Sequence, residues 1–491
     1  MKLPPCFGSP TLLRLGLAWA GLAAAAFFGG CAGPGGVAPP EAPARPAQIY
    51  PVAPLPLPTP TPAPRLPVAN PLPTTGRPVM LGIDVLQAQG FSILQGKRVG
   101  LLTHPAGVNA AGMSTIDVLR NAPGVKLVAL YGPEHGIYGA EKASAEMPKL
   151  QIDKRTGLPV YTLYNTDIPK GDFRKASPDM LNDIDVMVVD LQDLGTRSYT
   201  FISCLLCTME ACFEQNKTVV VLDRPNPLGG LRVGGPVIEE QWMSYVGAYR
   251  VPYVFGLTYG ELARIAKDNL SMLPNPALLS APLRRLFDVS PEVWRRGKLV
   301  IVPMSGWRRS MLWSDTGLKW IPTSPNIPSA SAAFGYGLTG LASAGGVSGF
   351  GLGVGTPYPF RLLNYPNRPP AEVATALNAL KLPGLSFTPK VYGDRNDKSG
   401  VYVNILDWNV VDPTRLAFEL MKLDVAWAPS GNPFARMGDE RAYNIYVGSS
   451  AWWTEITTKG RRADVAGFFK KWDAEDAAFQ QWTKRWWLYP E

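Results

Sequence analysis

From residue 97 onward the chain repeats one hydrophobic phrase. A short β-branched apolar run ends in polar residues, and an amphipathic stretch of helical period usually follows. The strand-like runs are KRVGLLTH, VKLVALYGPEH, LPVYTLYN, IDVMVVDLQD, KTVVVLDRPNP and KLVIVPM. Between them lie GMSTIDVLRNA, SPDMLND, YTFISCLLCTMEACFEQN and TYGELARIAKDNL. Unbroken apolar runs such as VMVV and VVVL suit strands buried on both faces. The alternation predicts an α/β fold: a Rossmann-like parallel sheet covered by helices over residues 79–320. Near residue 320 the texture shifts to glycine and small residues. After that come PPAEVATALNAL and PTRLAFELMKL as helices, GVYVNILD as a strand, and a long terminal helix. This predicts a smaller α+β C-terminal domain over 321–491. Phe468, Phe469, Trp472, Phe479, Trp482 and Trp486 recur at near-helical spacing. They read as a helix face packed on the core rather than a platform for stacking sugars.

The first 78 residues break the pattern. Lys2 and Arg14 precede the apolar stretch LGLAWAGLAAAAFF, and Gly29, Gly30 and Cys31 follow it. This reads as an export signal over 1–30. The small pair before Cys31 resembles a bacterial lipobox, with Phe28 where leucine is usual, and makes Cys31 the expected lipidation site. The alternative is an uncleaved anchor, but a span needs ~20 apolar residues and this stretch is shorter. Residues 31–78 are dense in proline and read as an extended tether. The expectation is an exported, membrane-tethered lipoprotein of the cell envelope or periplasm.

Composition narrows the picture. A chain of 491 residues, 46% apolar, suits more than one core. The net charge of +9 is spread among interleaved acids, without the basic run of a nucleic-acid patch, so no nucleic-acid partner is expected. Cys204, Cys207 and Cys212 sit inside a helical apolar run and read as buried free thiols. No metal is expected, since no second CxxC or HExxH accompanies them. No cofactor is expected either: GFGLGVG at 349–355 lacks the strand–helix context of a dinucleotide site.

The chemistry gathers at strand ends. In a parallel sheet, ligands bind outside the carboxyl ends of the strands. His104 ends the first strand, and Glu134 and His135 end the second. Asp190, Gln192 and Asp193 end the fourth, while Asp223, Arg224 and Asn226 end the fifth. Arg197 and Tyr199 open the helix after the fourth. Each alone reads equally well as a cap or turn residue. Together they line one edge with carboxylates, bases and amides. Paired carboxyl groups are what most glycosidases use. Glu134, at the end of an apolar strand, is placed for general-acid work, with His135 tuning it or merely orienting it. Arg197 and Arg224 read as anion clamps. There is no GxSxG elbow for a serine hydrolase.

Six motifs in order, GPEHGIYG, GLPVYTLY, DLQDLGTRSYTFI, VVLDRPNPLGG, GLTYGELA and TSPNIP, resemble the NamZ-like exo-β-N-acetylmuramidases, over most of residues 81–491. The resemblance implies a Rossmann-like domain plus a C-terminal domain with the active site between them. It implies release of N-acetylmuramic acid from the non-reducing ends of peptidoglycan fragments. It puts the catalytic glutamate at Glu134, with His135 as the histidine of the same motif; Asp193 is taken as catalytic with them, while Asp190, Asp193 and Asp223 all stay open as the second catalytic group. Asp190, Gln192, Arg197, Tyr199, Asp223, Arg224, Asn226 and, from TSPNIP, Asn326 become substrate-binding residues. Muramic acid carries a lactyl carboxylate, and Arg224 or Arg197 would supply its cationic partner.

The second domain departs from the family pattern. Where relatives resemble EGTN followed by GRGT, this chain has GGVSGFGLGVGT, so Gly346 replaces a glutamate, Gly349 an asparagine and Val354 an arginine. That keeps two alternatives open: a tethered, non-catalytic binder of cell-wall sugars, and a hydrolase for another amino sugar.

Overall fold

The structure is a computed structural model and describes residues 79–139, 149–164, 174–393, 395 and 398–491. The expected signal, the tether and Cys31 lie outside the described residues. Among those residues no helix is long and apolar enough to cross a membrane.

The apolar runs form a seven-stranded sheet: β1 (Arg98–Thr103), β2 (Lys126–Gly132), β3 (Leu150–Ile152), β4 (Pro159–Thr162), β5 (Val186–Asp190), β6 (Thr218–Leu222) and β7 (Lys298–Val302). Their order is β3-β4-β2-β1-β5-β6-β7. All neighbours pair parallel except β3, which lies antiparallel to β4 at the edge. The hydrophobic runs dictate the double burial, because successive side chains on a strand face opposite ways. On β5, Met187 and Val189 enter the core beneath α3 (Phe201–Glu214) and α4 (Tyr259–Asp268). Val186 and Val188 enter the core beneath α1 (Gly82–Ala88) and α2 (Thr115–Arg120). Cys204, Cys207 and Cys212 are buried free thiols on α3. Burial pushes the Cys204 thiol up to about 12, the mark of a packing residue rather than a nucleophile.

The second unit is built on a three-stranded antiparallel sheet, β8 (Leu362–Leu363), β9 (Leu385–Tyr392) and β10 (Lys398–Ile405), in the order β8-β10-β9. Helices α5 (Ala330–Thr339), α6 (Pro370–Ala379), α7 (Arg415–Trp427), α8 (Glu440–Val447) and α9 (Val465–Thr483) pack around it. That core also takes in Leu194, Leu228, Tyr253 and Val254 from the first unit, so the two units share buried surface. The aromatic face of α9 is structural, as its spacing predicts. Phe469 and Trp472 are buried in the second core, Phe479 and Trp486 in the first. Beyond α9 the chain returns to the parallel-sheet unit, where Tyr489 packs with Val79, Met304 and Trp307.

The β1–β5 junction is where the strand order reverses. β2 and β4 lie on one side of β1, and β5, β6 and β7 on the other. A crevice opens outside the carboxyl ends of strands at such a point.

Candidate active site

Glu134 leaves the end of β2 on a tight turn, closed by the Gly136 N–H donating to the Pro133 carbonyl at 2.9 Å. His135, at the third turn position, has φ 71°. Left-handed backbone at a residue other than glycine costs on the order of 1–3 kcal/mol and clusters at functional sites. The adjacent strand locks the turn's base: Leu163, just past β4, donates its N–H to the Gly132 carbonyl at 2.8 Å.

Both residues are buried, Glu134 at 6% exposure. The Thr200 hydroxyl donates to Glu134 Oε2 at 2.9 Å. Thr200 occupies the cap position of α3, yet its side chain makes no hydrogen bond to that helix. Glu134 Oε1 is buried without a hydrogen-bond partner among the described residues. Tyr336 of α5 and Tyr446 of α8 lie within electrostatic reach of this carboxyl group, so Glu134 faces the second unit. Tyr199 joins the two sides. Its ring lies 4.8 Å from that of Phe201 and 6.3 Å from that of Tyr336.

Asp193, in the loop after β5, also has an oxygen without a hydrogen-bond partner among the described residues. The Gly195 N–H donates to its Oδ2 at 2.7 Å, while Oδ1 is buried without a hydrogen-bond partner among the described residues. Burial pushes its carboxyl up to about 7, against the pull of the Gly195 and Leu194 N–H groups. A carboxyl group near neutrality can both hold and release a proton at working pH.

The other strand-end groups are committed to the scaffold. Arg224 clasps Asp190 with Nε to Oδ1 at 2.5 Å and Nη2 to Oδ2 at 2.8 Å, and also donates to the Val108 carbonyl. Thr115 adds a hydroxyl to the same carboxylate. Asp223 accepts from the N–H groups of Arg224 and Gly260 and from the hydroxyls of Thr258 and Tyr489. Asn226 donates to the Leu257 carbonyl and accepts from the Leu228 N–H, a side-chain-closed turn. Arg197, expected as an anion clamp, is fully buried. Its Nη1 donates to the carbonyls of Pro236 and Val251 and its Nη2 to those of Tyr446 and Val447. It ties α8 to the first unit instead. A charge type visible in sequence says nothing about carbonyls that arrive from 250 residues away.

Gln192 is held by its amide NH2, which donates to the Asp193 and Pro225 carbonyls. Its backbone N–H donates to His104 Nε2 at 2.9 Å, and burial, chiefly, pushes that imidazole down to about 3. His104 therefore stays neutral and acts as an acceptor that fixes the loop after β5. Asn326 is half-buried in the turn where Ile327 N–H donates to the Ser324 carbonyl. Gln192 and Arg224 also line a crevice of about 100 Å³ with Asn109, Trp313 and Lys319, at the β1–β5 reversal. Among the described residues no group of histidine, cysteine and acidic side chains is arranged to hold a metal.

Thr200, Tyr336 and Tyr446 escape the sequence reading. Thr200 had a signal, a threonine just before an apolar helical run, but that signal predicts an ordinary cap. The tyrosines come from another unit and carry no local mark.

Comparison with known proteins places this geometry. Residues 99–331 match the family described as exo-beta-N-acetylmuramidase NamZ, N-terminal, and residues 335–489 its C-terminal counterpart. The peptidoglycan beta-N-acetylmuramidase NamZ of Bacillus subtilis is 38% identical over 309 residues, spanning 63% of this chain and 67% of the relative. A crystal structure of a DUF1343 family protein from Bacteroides fragilis superposes with a TM-score of 0.69 at 37% identity, covering 84% of this chain and 99% of the other. A second DUF1343 protein of that organism, at 23% identity and a TM-score of 0.59, shares the fold. With both halves of the family matched and the strand-end carboxyl groups in place, the chain belongs to the exo-β-N-acetylmuramidase NamZ family of glycoside hydrolases.

Proposed function

We propose that this chain releases N-acetylmuramic acid from the non-reducing ends of peptidoglycan fragments, with Glu134 as the general acid/base and Asp193 as the second carboxyl group. The observation that carries the assignment is the state of Glu134. One oxygen is held by Thr200, and the other is buried without a hydrogen-bond partner among the described residues, at the junction of the two units. A group so placed can give a proton to the glycosidic oxygen as the bond to the sugar's anomeric carbon breaks. A water then completes the hydrolysis, with the proton returned to the carboxylate. Asp193, partly protonated near neutrality, is the other group able to take part in that transfer. The proposal keeps the body exported and tethered through Cys31, on the strength of the N-terminal sequence pattern.

The test is turnover of a chromogenic N-acetyl-β-muramide by the wild type and by Glu134→Gln. Wild-type cleavage with a loss of at least ~100-fold in the variant supports the assignment. Equal cleavage by both removes Glu134 from the chemistry.

One observation favours the second reading, a binder without activity. The backbone around Gly349 is built for glycine: its N–H donates to both Asp424 oxygens, and a Cβ there would lie 2.8 Å from the Tyr365 ring. The asparagine that the resemblance implies for relatives would require the Tyr365 and Asp424 side chains to shift. Binding of muramic-acid fragments by a wild type that leaves them intact would establish this reading instead.

A further inference from the structure

Residues 197–200 run as a strap along the junction of the two units, between the loop after β5 and α3. Three of the four are tied down by side-chain hydrogen bonds. Arg197 bonds to the carbonyls of Tyr446 and Val447 at the end of α8, Ser198 to the hydroxyls of Tyr253 and Tyr336, and Thr200 to Glu134. We propose that Tyr336 of α5 is a positioning residue for the general acid: its hydroxyl fixes Ser198, and with it the Thr200 donor that orients Glu134. This inference rests on the muramidase reading and gives the second unit a part in it.

The Ser198 hydroxyl lies 2.9 Å from the Tyr253 hydroxyl of the first unit and 2.9 Å from the Tyr336 hydroxyl of the second. A serine hydroxyl has one proton and two lone pairs, so it can donate to one of these and accept from the other. Ser198 and Tyr253 are both buried. The backbone holds Tyr253 in the same place, since the Arg197 N–H donates to its carbonyl at 2.7 Å. Tyr336 is the partner that arrives from the other unit. Its half-buried ring meets Phe360 edge-on at 4.9 Å and lies 6.3 Å from the Tyr199 ring, which packs 4.8 Å from Phe201 in the first turn of α3. Packing thus holds the ring while its hydroxyl meets Ser198. Burial, chiefly, raises the phenol above its ordinary value, and the charges of Glu134 and Asp193 add to the rise. Tyr336 therefore stays protonated at working pH, on the side of the junction that faces both carboxyl groups.

Thr200 stands two residues after Ser198, and its side chain makes no hydrogen bond to its own helix. What aims it at Glu134 is the path of the strap. A carboxyl group transfers a proton well only when its oxygen is aligned with the glycosidic oxygen, and a misplacement of about 1 Å can cost about 100-fold in rate. Removing the Tyr336 hydroxyl leaves Ser198 tied to Tyr253 alone and frees the strap on the side of the second unit. In this role the bond acts on the carboxyl group and not on the sugar, so it changes turnover rather than affinity.

The experiment measures kcat and KM of the full chain on the chromogenic N-acetyl-β-muramide for the wild type, Tyr336→Phe, Thr200→Val and the double variant. Tyr336→Phe should lower kcat by roughly fivefold, the worth of one ordinary hydrogen bond, with KM within about twofold of wild type. In the Thr200→Val background the same substitution should change kcat by less than about twofold, because the donor it positions is already gone. A variant that is merely less well folded would lose the same factor in both backgrounds. That equal loss, a wild-type kcat in Tyr336→Phe, or a change in KM alone overturns the proposal. If Tyr336→Phe does not fold, Ser198→Ala removes the same bond from its other end and decides. Its loss of kcat should also vanish in the Thr200→Val background, and a loss that persists there overturns the proposal. A wild type that leaves the muramide uncleaved overturns the muramidase reading itself, and this inference with it, a result distinct from the others.

Discussion

The Thr200 hydroxyl reaches away from its own helix and donates to Glu134 Oε2 at 2.9 Å. A helix-cap residue is thereby turned into a positioning group for a strand-end carboxyl. Thr200→Val keeps the shape and removes the donor. Leaving a buried carboxyl oxygen without its donor costs about 1–3 kcal/mol, so kcat should fall by roughly 5- to 100-fold. KM should stay within about twofold, since Thr200 itself does not meet the substrate. Thr200→Ser should restore most of the rate. A Thr200→Val enzyme with wild-type kcat contradicts the positioning role.

Asp193 links the site to stability. Burial raises its folded-state pKa to about 7, above the value of an unfolded aspartate. The folded chain therefore holds a proton that the unfolded chain has already released over that range. Stability from this group is complete below about pH 4 and is lost progressively as pH rises through 7. At 1.36 kcal/mol per pKa unit the loss is at most about 4 kcal/mol. Asp193→Asn abolishes the titration, so its denaturation midpoint relative to wild type should rise between pH 5 and pH 8. A constant difference across that range would show that Asp193 is not buried as described.

The strands were legible because each is a short, unbroken apolar run that must be buried on both faces. The edge strand β3 was not, since Leu150, Gln151 and Ile152 are all exposed and carry no periodic signal. Strand β9 hid for the same reason, alternating weakly and holding Pro389. The candidate site was legible only in part. Glu134 and Asp193 stand at strand ends, where local sequence already points. Asp223 and Asn226 stand there too, but their partners, Tyr489 and Leu257, arrive from elsewhere in the chain and turn them into fasteners.

Arg197 should prove a structural residue. Arg197→Met retains much of the side-chain volume but leaves the carbonyls of Pro236, Val251, Tyr446 and Val447 without their donor. Unsatisfied buried groups cost about 1–3 kcal/mol each before relaxation, so the urea midpoint should correspond to a loss of at least about 3 kcal/mol. The loss should appear equally with and without bound muramic acid. A variant of wild-type stability that has lost only ligand affinity would return Arg197 to the binding surface.

The chain's end is fastened to the sheet unit through Tyr489, whose hydroxyl donates to Asp223 Oδ2 at 2.5 Å. Leu488 N–H donates to Glu261, and the Pro490 carbonyl accepts from Arg309 N–H. Tyr489→Phe removes one hydroxyl and keeps the ring, which packs 5.0 Å from Trp307, so no cavity forms. Burial raises the Asp223 pKa to about 6, and the Tyr489 hydroxyl opposes that rise. The bond therefore matters most where Asp223 is ionised. Above pH 6 the variant should lose about 2 kcal/mol, the worth of a hydrogen bond to a charged group. Below pH 4 a protonated Asp223 has less need of the donor and the loss should shrink. Urea denaturation of wild type and Tyr489→Phe at pH 4 and pH 8 measures both values, and a larger loss at the lower pH contradicts the assignment.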